Sequence, residues 1–157
     1  MRFCADSSFL VRLYDPLTKP AELRSIRDYV TNDQKTVSLC DLCRVEVLNV
    51  LLSRSVRAAA RFEADLATSH LLRLELVDWV AVFKHAESHV RRFSRSLRPG
   101  GHDLVLVAAA VAMGATWFLS FDTNSRQRQL AAAVGLHVWP PLEKDEKGMV
   151  KHAVSSL

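Results

Sequence analysis

The sequence has few of the residues that several common kinds of functional site require. Its 157 residues include only 5 glycines, and none of them forms the glycine-rich loop that cradles phosphates in nucleotide-binding proteins. Its 3 cysteines cannot form a complete disulfide set, which favours a reducing compartment. The longest apolar run, residues 104–112, is too short to span a bilayer, and the opening stretch "MRFCADSSFL" lacks the apolar segment of a signal peptide. The sequence therefore predicts a cytoplasmic protein with no membrane segment.

Motifs for other chemistries are also missing. No Gly-x-Ser-x-Gly elbow is present, so serine hydrolase chemistry has no support. Cys40 and Cys43 form a Cys-x-x-Cys pair, but no second ligand pair has zinc-site spacing, and the apolar flanks indicate ordinary buried thiols. His85 and His89 are four residues apart on a predicted helix, yet Ala86 replaces the glutamate of a zinc-protease motif. We expect these two histidines to lie on a solvated helix face.

The composition is that of a globular protein. Hydrophobic residues make up 49% and charged residues 24%, which argues against disorder. The net charge of +4 permits a nucleic-acid partner without requiring one. The polar stretch 141–157 is predicted to be a tail that follows one domain at 1–140.

Short apolar runs alternate with helical patterns along that domain. Strands are predicted at residues 2–5, 36–39, 74–77, 116–121 and 136–139, with helices between them at residues 8–14, 20–30, 41–54, 57–70, 79–93, 103–113 and 126–134. Such alternation predicts an α/β fold, a single domain with a central parallel sheet of about five short strands flanked by helices. In such sheets functional side chains gather at the carboxyl ends of the strands.

Four carboxylates occupy comparable places in this pattern. Asp6 and Asp122 follow predicted strands, Asp103 opens the apolar helix "DLVLVAAAVAMG", and Glu46 lies in "CRVEVLNVLL", which is predicted to be a buried helix. Helix capping is the alternative role for Asp103 and Asp122. A buried Glu46 would need a partner, because an isolated buried carboxylate is costly. The alternative is that Glu46 lies on the thinner polar stripe of the helix, with Arg44 or Asn49.

Four like charges in one cleft would repel one another unless a cation neutralised them. A site that offers only oxygen ligands suits a hard ion, Mg²⁺ or Mn²⁺. In a basic protein such an ion indicates phosphodiester hydrolysis, in which the metal activates water and stabilises charge on the phosphate.

At this point the sequence resembles the PIN domain family and, within it, the VapC-type toxin ribonucleases of toxin–antitoxin pairs. The resemblance rests on "DSSFLVRLY", "VEVLNVLL", "HDLVLVAAAVAMGATWFLSFD" and "SRQRQLAAAVGLHVW". It implies a Mg²⁺-dependent endoribonuclease whose catalytic and metal-binding residues are Asp6, Glu46, Asp103 and Asp122, with Ser7 and Ser120 supporting them. Many relatives carry a further acid shortly after the last one, where this chain has Thr123, Asn124 and Ser125. Asn124 could support the site with an oxygen but supplies no charge, which leaves a second metal open.

The resemblance also implies partners, namely an RNA substrate, a small cognate antitoxin and a second copy of the chain in a homodimer. Arg126 and Arg128 are expected to meet RNA phosphate. Arg91 and Arg95 either bind RNA or are solvated. The predicted helices at residues 20–30 and 57–70 are expected to expose apolar residues to the antitoxin: Leu23, Ile26, Tyr29, Phe62 and Leu66.

Two other functions stay open at the level of the sequence. An Asp-based phosphatase or phosphoacceptor would use Asp6, although no second aspartate follows it two residues on. A catalytically inactive PIN-fold module would bind RNA or protein without cutting it.

Overall fold

The computed structural model describes residues 1–156, apart from the side chain of Asp33, and contains the parallel sheet that the sequence predicts. Its strands run in the order β3-β2-β1-β4-β5 with all neighbours parallel. Their bounds are β1 Phe3–Ala5, β2 Val37–Leu39, β3 Leu72–Leu74, β4 Trp117–Leu119 and β5 His137–Trp139. The chain reverses direction across the sheet between β3 and β4, which makes the carboxyl ends of β1 and β4 the expected place for a functional cleft.

Helices cover the sheet. Their bounds are α1 Ser7–Tyr14, α2 Pro20–Thr31, α3 Asp41–Arg54, α4 Val56–Thr68, α5 Trp79–Phe93, α6 Gly101–Ala112, α7 Gln127–Ala133 and α8 Lys144–Ser155, with a 3₁₀ turn at Asn32–Gln34. Phe9, Phe62 and Phe118 are among the fully buried residues that fill the core between the layers. The single α/β fold with five parallel strands is confirmed.

The third strand lies earlier in the chain than the sequence predicts. The segment from Leu71 to Val77 is apolar at almost every second position, so its pattern fits more than one register. The structure pairs Leu72–Leu74 with β2, which buries Leu72 and leaves Leu76 exposed. The prediction of residues 74–77 is therefore wrong by about two residues.

The three cysteines are free and buried, as predicted for ordinary core thiols. Cys40 lies at the N-cap of α3 and Cys43 in its first turn. Within residues 1–156, no helix is both long and apolar enough to cross a membrane.

His89 does not lie on a solvated helix face, so that prediction is wrong. Its side chain is buried in α5, and neither ring nitrogen has a hydrogen-bond partner among the described residues. Burial, together with the nearby His85 and Arg92, lowers its pKa from 6.5 to about 4. A neutral imidazole with two unsatisfied nitrogens is a local weakness of the fold, because unpaired buried polar atoms cost free energy.

We expect His89→Leu to raise stability and to reduce its dependence on pH. Between pH 6.5 and 4 the unfolded chain binds a proton that folded His89 does not, so the free energy of unfolding falls as pH falls, by up to about 1.4 kcal/mol per pH unit. Urea unfolding at pH 7 and pH 5 measures this slope. The exposed residue His70 lies outside α5 and supplies the control, His70→Leu, which should leave the slope unchanged. Equal slopes in wild type and His89→Leu would contradict the assignment.

Candidate metal centre

Asp6 lies directly after β1, and the fold buries it. Its backbone N–H donates to Leu119 O at 3.0 Å, which continues the pairing of β1 with β4. Its side chain caps α1, because Oδ1 accepts from the Phe9 N–H at 2.9 Å. The side chain is only 3% exposed. Burial raises its pKa to about 6, and the negative charge of Asp122 adds to the rise.

Two hydroxyl groups hold this carboxylate in place. Ser120 Oγ donates to Asp6 Oδ2 at 2.7 Å and accepts from the Asp122 N–H at 3.1 Å. Ser8 Oγ donates to Asp6 Oδ1 at 2.8 Å and accepts from the Phe121 N–H at 2.9 Å. These bonds oppose the effect of burial on the pKa of Asp6, and they tie the start of α1 to the segment after β4.

Ser120, one of the two supporting residues that the resemblance implies, therefore contacts Asp6, whereas the sequence analysis missed Ser8. Ser7 acts instead on Glu46, where it opposes the rise that burial causes in the pKa of that group. The sequence holds a signal for Ser8, because it lies two residues after the helix-capping Asp6 and a serine there can hydrogen-bond back to the cap.

Asp122 organises a turn and does not cap a helix directly. Its Oδ1 accepts from the Asn124 N–H at 2.8 Å and from the Ser125 N–H at 3.2 Å. Helix α7 begins later, at Gln127, whose N–H donates to Ser125 Oγ. The Asn124 side chain is exposed, and only its backbone contacts Asp122.

Glu46 lies on α3, which is not buried on all sides as the sequence predicts. Val45 and Leu52 of this helix are exposed, so apolar residues reach its surface and obscure the boundary between core and solvent. Glu46 itself is half-buried. His102 Nε2 lies 2.9 Å from its Oε1, while Oε2 is buried with no hydrogen-bond partner among residues 1–156.

Asp103 lies in the first turn of α6 and is 8% exposed. Its Oδ2 accepts from the Gly100 N–H at 3.2 Å, as the capping role requires, and its negative charge raises the pKa of Glu46. A side chain on Gly100 would crowd this carboxylate, because a Cβ there would lie 3.3 Å from Asp103 Oδ2.

The four acids form two electrostatic pairs. The negative charge of Asp122 contributes to the raised pKa of Asp6, and the negative charge of Asp103 contributes to the raised pKa of Glu46. Burial raises the pKa of the Cys43 thiol, and the charges of Asp6 and Glu46, one acid from each pair, add to the rise. Within residues 1–156, however, no group of three His, Cys, Asp or Glu side chains is arranged to hold a metal ion.

The donor chemistry still fits a hard divalent cation. The four acids offer carboxylate oxygens, and the buried Glu46 Oε2 has no other partner. The raised pKa values of Asp6 and Glu46 show that negative charge is unfavourable here without a cation. A divalent ion held by these oxygens would relieve the repulsion within each pair.

Arg128 has a structural role, so the prediction that it meets RNA is wrong. It is 3% exposed, and its guanidinium pairs with Glu146 of α8, with Nε 2.9 Å from Oε1 and Nη2 3.2 Å from Oε2. Nη1 donates to Ser120 O at 2.5 Å, and Nη2 also donates to Pro140 O at 3.1 Å. Arg128 thus joins α8 to the residue that holds Asp6.

The sequence analysis assigned no helix to the stretch where α8 forms. Its residues are largely polar, and the helix is anchored by Glu146 and by the buried residue Ala153. Their partners lie elsewhere in the chain, so a local pattern could not reveal them. The division into 1–140 and 141–157 remains a prediction.

The other predicted RNA-binding arginines are exposed. Arg126 lies at the N-cap of α7, and its Nη1 contacts Met149 Sδ at 3.3 Å. Arg91 forms an ion pair with Glu87 on the same helix. Arg95 follows the end of α5.

Comparison with known proteins agrees with this fold. The family model of the PIN domain matches residues 3–132, most of the chain, which therefore belongs to the PIN domain family. One similar solved structure is Mycobacterium tuberculosis VapC20, described as a sarcin-ricin loop cleaving toxin. The match has a TM-score of 0.61 and 22% sequence identity, and it covers 88% of this chain and 99% of that one. A comparison with curated protein sequences finds no match.

Proposed function

We propose that this chain is a Mg²⁺-dependent endoribonuclease and the toxin of a toxin–antitoxin pair. The observation that carries the proposal is the buried, doubly braced Asp6, set beside Asp122 at the carboxyl ends of β1 and β4. PIN family membership and the fold shared with the VapC20 toxin support it. RNA as the substrate implies action in the cytoplasm.

In this proposal Asp6, Glu46, Asp103 and Asp122 hold Mg²⁺, or Mn²⁺ in its place. The bound ion supplies an activated water and stabilises negative charge on the phosphate. Ser120 and Ser8 fix the two oxygens of Asp6. Ser7 and His102 orient Glu46. Asn124 provides no charge, which favours one ion over two.

The structure disfavours the phosphoacceptor alternative. Both oxygens of Asp6 accept hydrogen bonds, and the side chain is 3% exposed. A nucleophilic carboxylate needs an oxygen that can reach an incoming phosphorus atom. The inactive RNA-binding or protein-binding module remains an alternative, and a cleavage assay separates it from a nuclease.

A groove is available for the proposed antitoxin, but fewer of the predicted apolar residues can contact a partner there. Ile26 and Phe62 are fully buried and Tyr29 stacks on Trp139, so these residues are not available to a partner. A cavity of about 340 Å³ lies between α1, α2 and α4. Its lining includes Tyr14, Leu23, Arg27, Arg57 and Arg61. Its apolar and cationic lining suits an amphipathic segment with acidic residues.

The proposed homodimer has candidate contacts on α5 and just before it. Leu76, Val80, Phe83 and Val90 are exposed and recur every three to seven residues. Exposed apolar residues at this spacing suit the face of a second helix.

We expect expression of the chain to slow bacterial growth and co-expression with a small neighbouring gene to restore it. A complex of the two products should co-purify. The Asp103→Asn variant should be harmless alone yet still bind that partner, because its substitution lies outside the groove. Normal growth at high expression of the wild type, with no co-purifying partner, would contradict the toxin role.

A further inference from the structure

A cavity of about 390 Å³ lies between the loop after α5, the N-terminus of α7 and α8. It is lined by Ser96, Leu97, Arg98, Arg126 and Met149, and we call it the arginine cleft. Met149 comes from α8, which lies beyond the residues that the PIN family model matches. The cleft is therefore built partly from a segment outside the part of the chain that the family model matches.

Both arginines are attached to the proposed metal centre by short stretches of backbone. Arg98 lies two residues before Gly100, whose N–H donates to Asp103 Oδ2 at 3.2 Å. Arg126 follows Ser125, whose N–H donates to Asp122 Oδ1 at 3.2 Å. Each arginine of the cleft is therefore close along the chain to a backbone N–H that holds one of the acids.

Neither guanidinium is neutralised within the described part of the chain. Arg12, Arg54, Arg91 and Arg128 form ion pairs, but Arg98 and Arg126 form none with a described carboxylate. Within residues 1–156, the one side-chain hydrogen bond of Arg126 goes to the sulfur of Met149, and a thioether is a weak acceptor. Two cations with open donors thus share one cavity.

The backbone at Arg98 is also unusual. Its φ of 51° lies in the left-handed region, which residues other than glycine rarely adopt and which costs conformational energy. Such a conformation persists only where the surrounding structure holds it in place. Arg98 lines the arginine cleft from this position together with Arg126 and Met149 of α8.

We propose that the arginine cleft binds a backbone phosphate of the RNA strand next to the bond that is cut. This inference rests on the proposed function, and it specifies where the substrate lies. Guanidinium groups pair bidentately with phosphate oxygens. They would offset the repulsion between the acids and the RNA backbone, while the exposed Met149 offers apolar contact to a sugar or base.

The test uses Arg98→Ala and Arg126→Ala in the uncleaving Asp103→Asn chain. Binding of a fluorescent single-stranded oligoribonucleotide is measured over a range of KCl concentrations. Each variant should bind at least several-fold more weakly, and the slope of log affinity against log salt should fall by about 0.7 per lost phosphate contact. Arg24→Ala is the control, since Arg24 is an exposed arginine of α2 outside the cleft.

In the cleaving chain the same substitutions should raise KM far more than they lower kcat. Unchanged affinity and salt slope, in variants whose melting matches the parent, would overturn the cleft while leaving the nuclease in place. The cleft would also be overturned if the variants lost only the antitoxin, because an acidic peptide would then be its ligand. If the Asp103→Asn chain does not bind RNA and the wild type does not cut it, the proposed function itself fails.

Discussion

Replacing Asp6 or Asp103 with asparagine is expected to abolish RNA cleavage while the fold survives. Each change removes a proposed metal-binding charge, and loss even of groups that only support metal ligands costs about 10- to 100-fold in affinity or activity. We therefore expect losses of more than about 100-fold in kcat/KM. Asparagine keeps an oxygen that can accept from the Phe9 N–H or the Gly100 N–H, so the caps remain.

Stability separates this interpretation from a purely structural one. The folded-state pKa of Asp6 is raised from 3.8 to about 6, so the folded chain keeps a proton that the unfolded chain loses as pH rises through this window. Metal-free wild type therefore loses stability between pH 3.8 and 6, by up to about 3 kcal/mol. Above pH 6, metal-free Asp6→Asn should melt at or above the wild-type temperature.

Asp103→Asn should melt near wild type under the same conditions. Because asparagine keeps the caps, a loss of stability in both variants well above the cost of a cap, about 1 kcal/mol, would instead show that the two carboxylate charges serve mainly to stabilise the fold. Circular dichroism melts in EDTA provide the comparison, and the same samples can be assayed for cleavage after Mg²⁺ is added.

Glu146→Gln is expected to destabilise the protein strongly, even though it lies in the polar C-terminal stretch. The substitution leaves the Arg128 guanidinium buried without its counter-charge. Breaking a buried ion pair on one side costs about 3–5 kcal/mol, or about 6–20 °C in melting temperature for a chain of this size. Arg128→Met should be comparably destabilising, because it leaves Glu146 unpaired.

The double variant Arg128→Met with Glu146→Leu should recover part of the loss, because it removes both buried charges together. Arg24→Met serves as the control, since it removes an exposed arginine and should shift the free energy of unfolding by less than about 0.5 kcal/mol. A small effect of Glu146→Gln, similar to that of Arg24→Met, would show that the ion pair does not hold α8.

The sequence predicts the architecture well because its strong signals are local. The alternation of short apolar runs with helical periods gives five parallel strands, and Asp6 and Asp122 follow β1 and β4 as expected. Gly114 and Pro20 mark helix ends for local steric reasons. Boundaries fail where the pattern is ambiguous, as at β3.

The remaining errors concern contacts between distant residues. Arg128 resembles a surface arginine in "SRQRQL", and only its partner Glu146, 18 residues later, reveals that it is buried. Nothing in the sequence near His89 indicates that its side chain is buried without a hydrogen-bond partner. Ile26 and Phe62 belong to the core because neighbouring helices cover them. A periodic pattern indicates which residues share a face, but not what covers that face.

The most direct test of the proposed metal centre measures Mg²⁺ or Mn²⁺ binding and RNA cleavage on the same purified chain, free of antitoxin. We predict that the wild type binds the ion, rises in melting temperature with it and cuts structured RNA, and that EDTA abolishes cutting. Asp103→Asn should lose both binding and cleavage. RNA cleavage that persists in EDTA, or ion binding that is unchanged in Asp103→Asn, would contradict the assignment of these carboxylates.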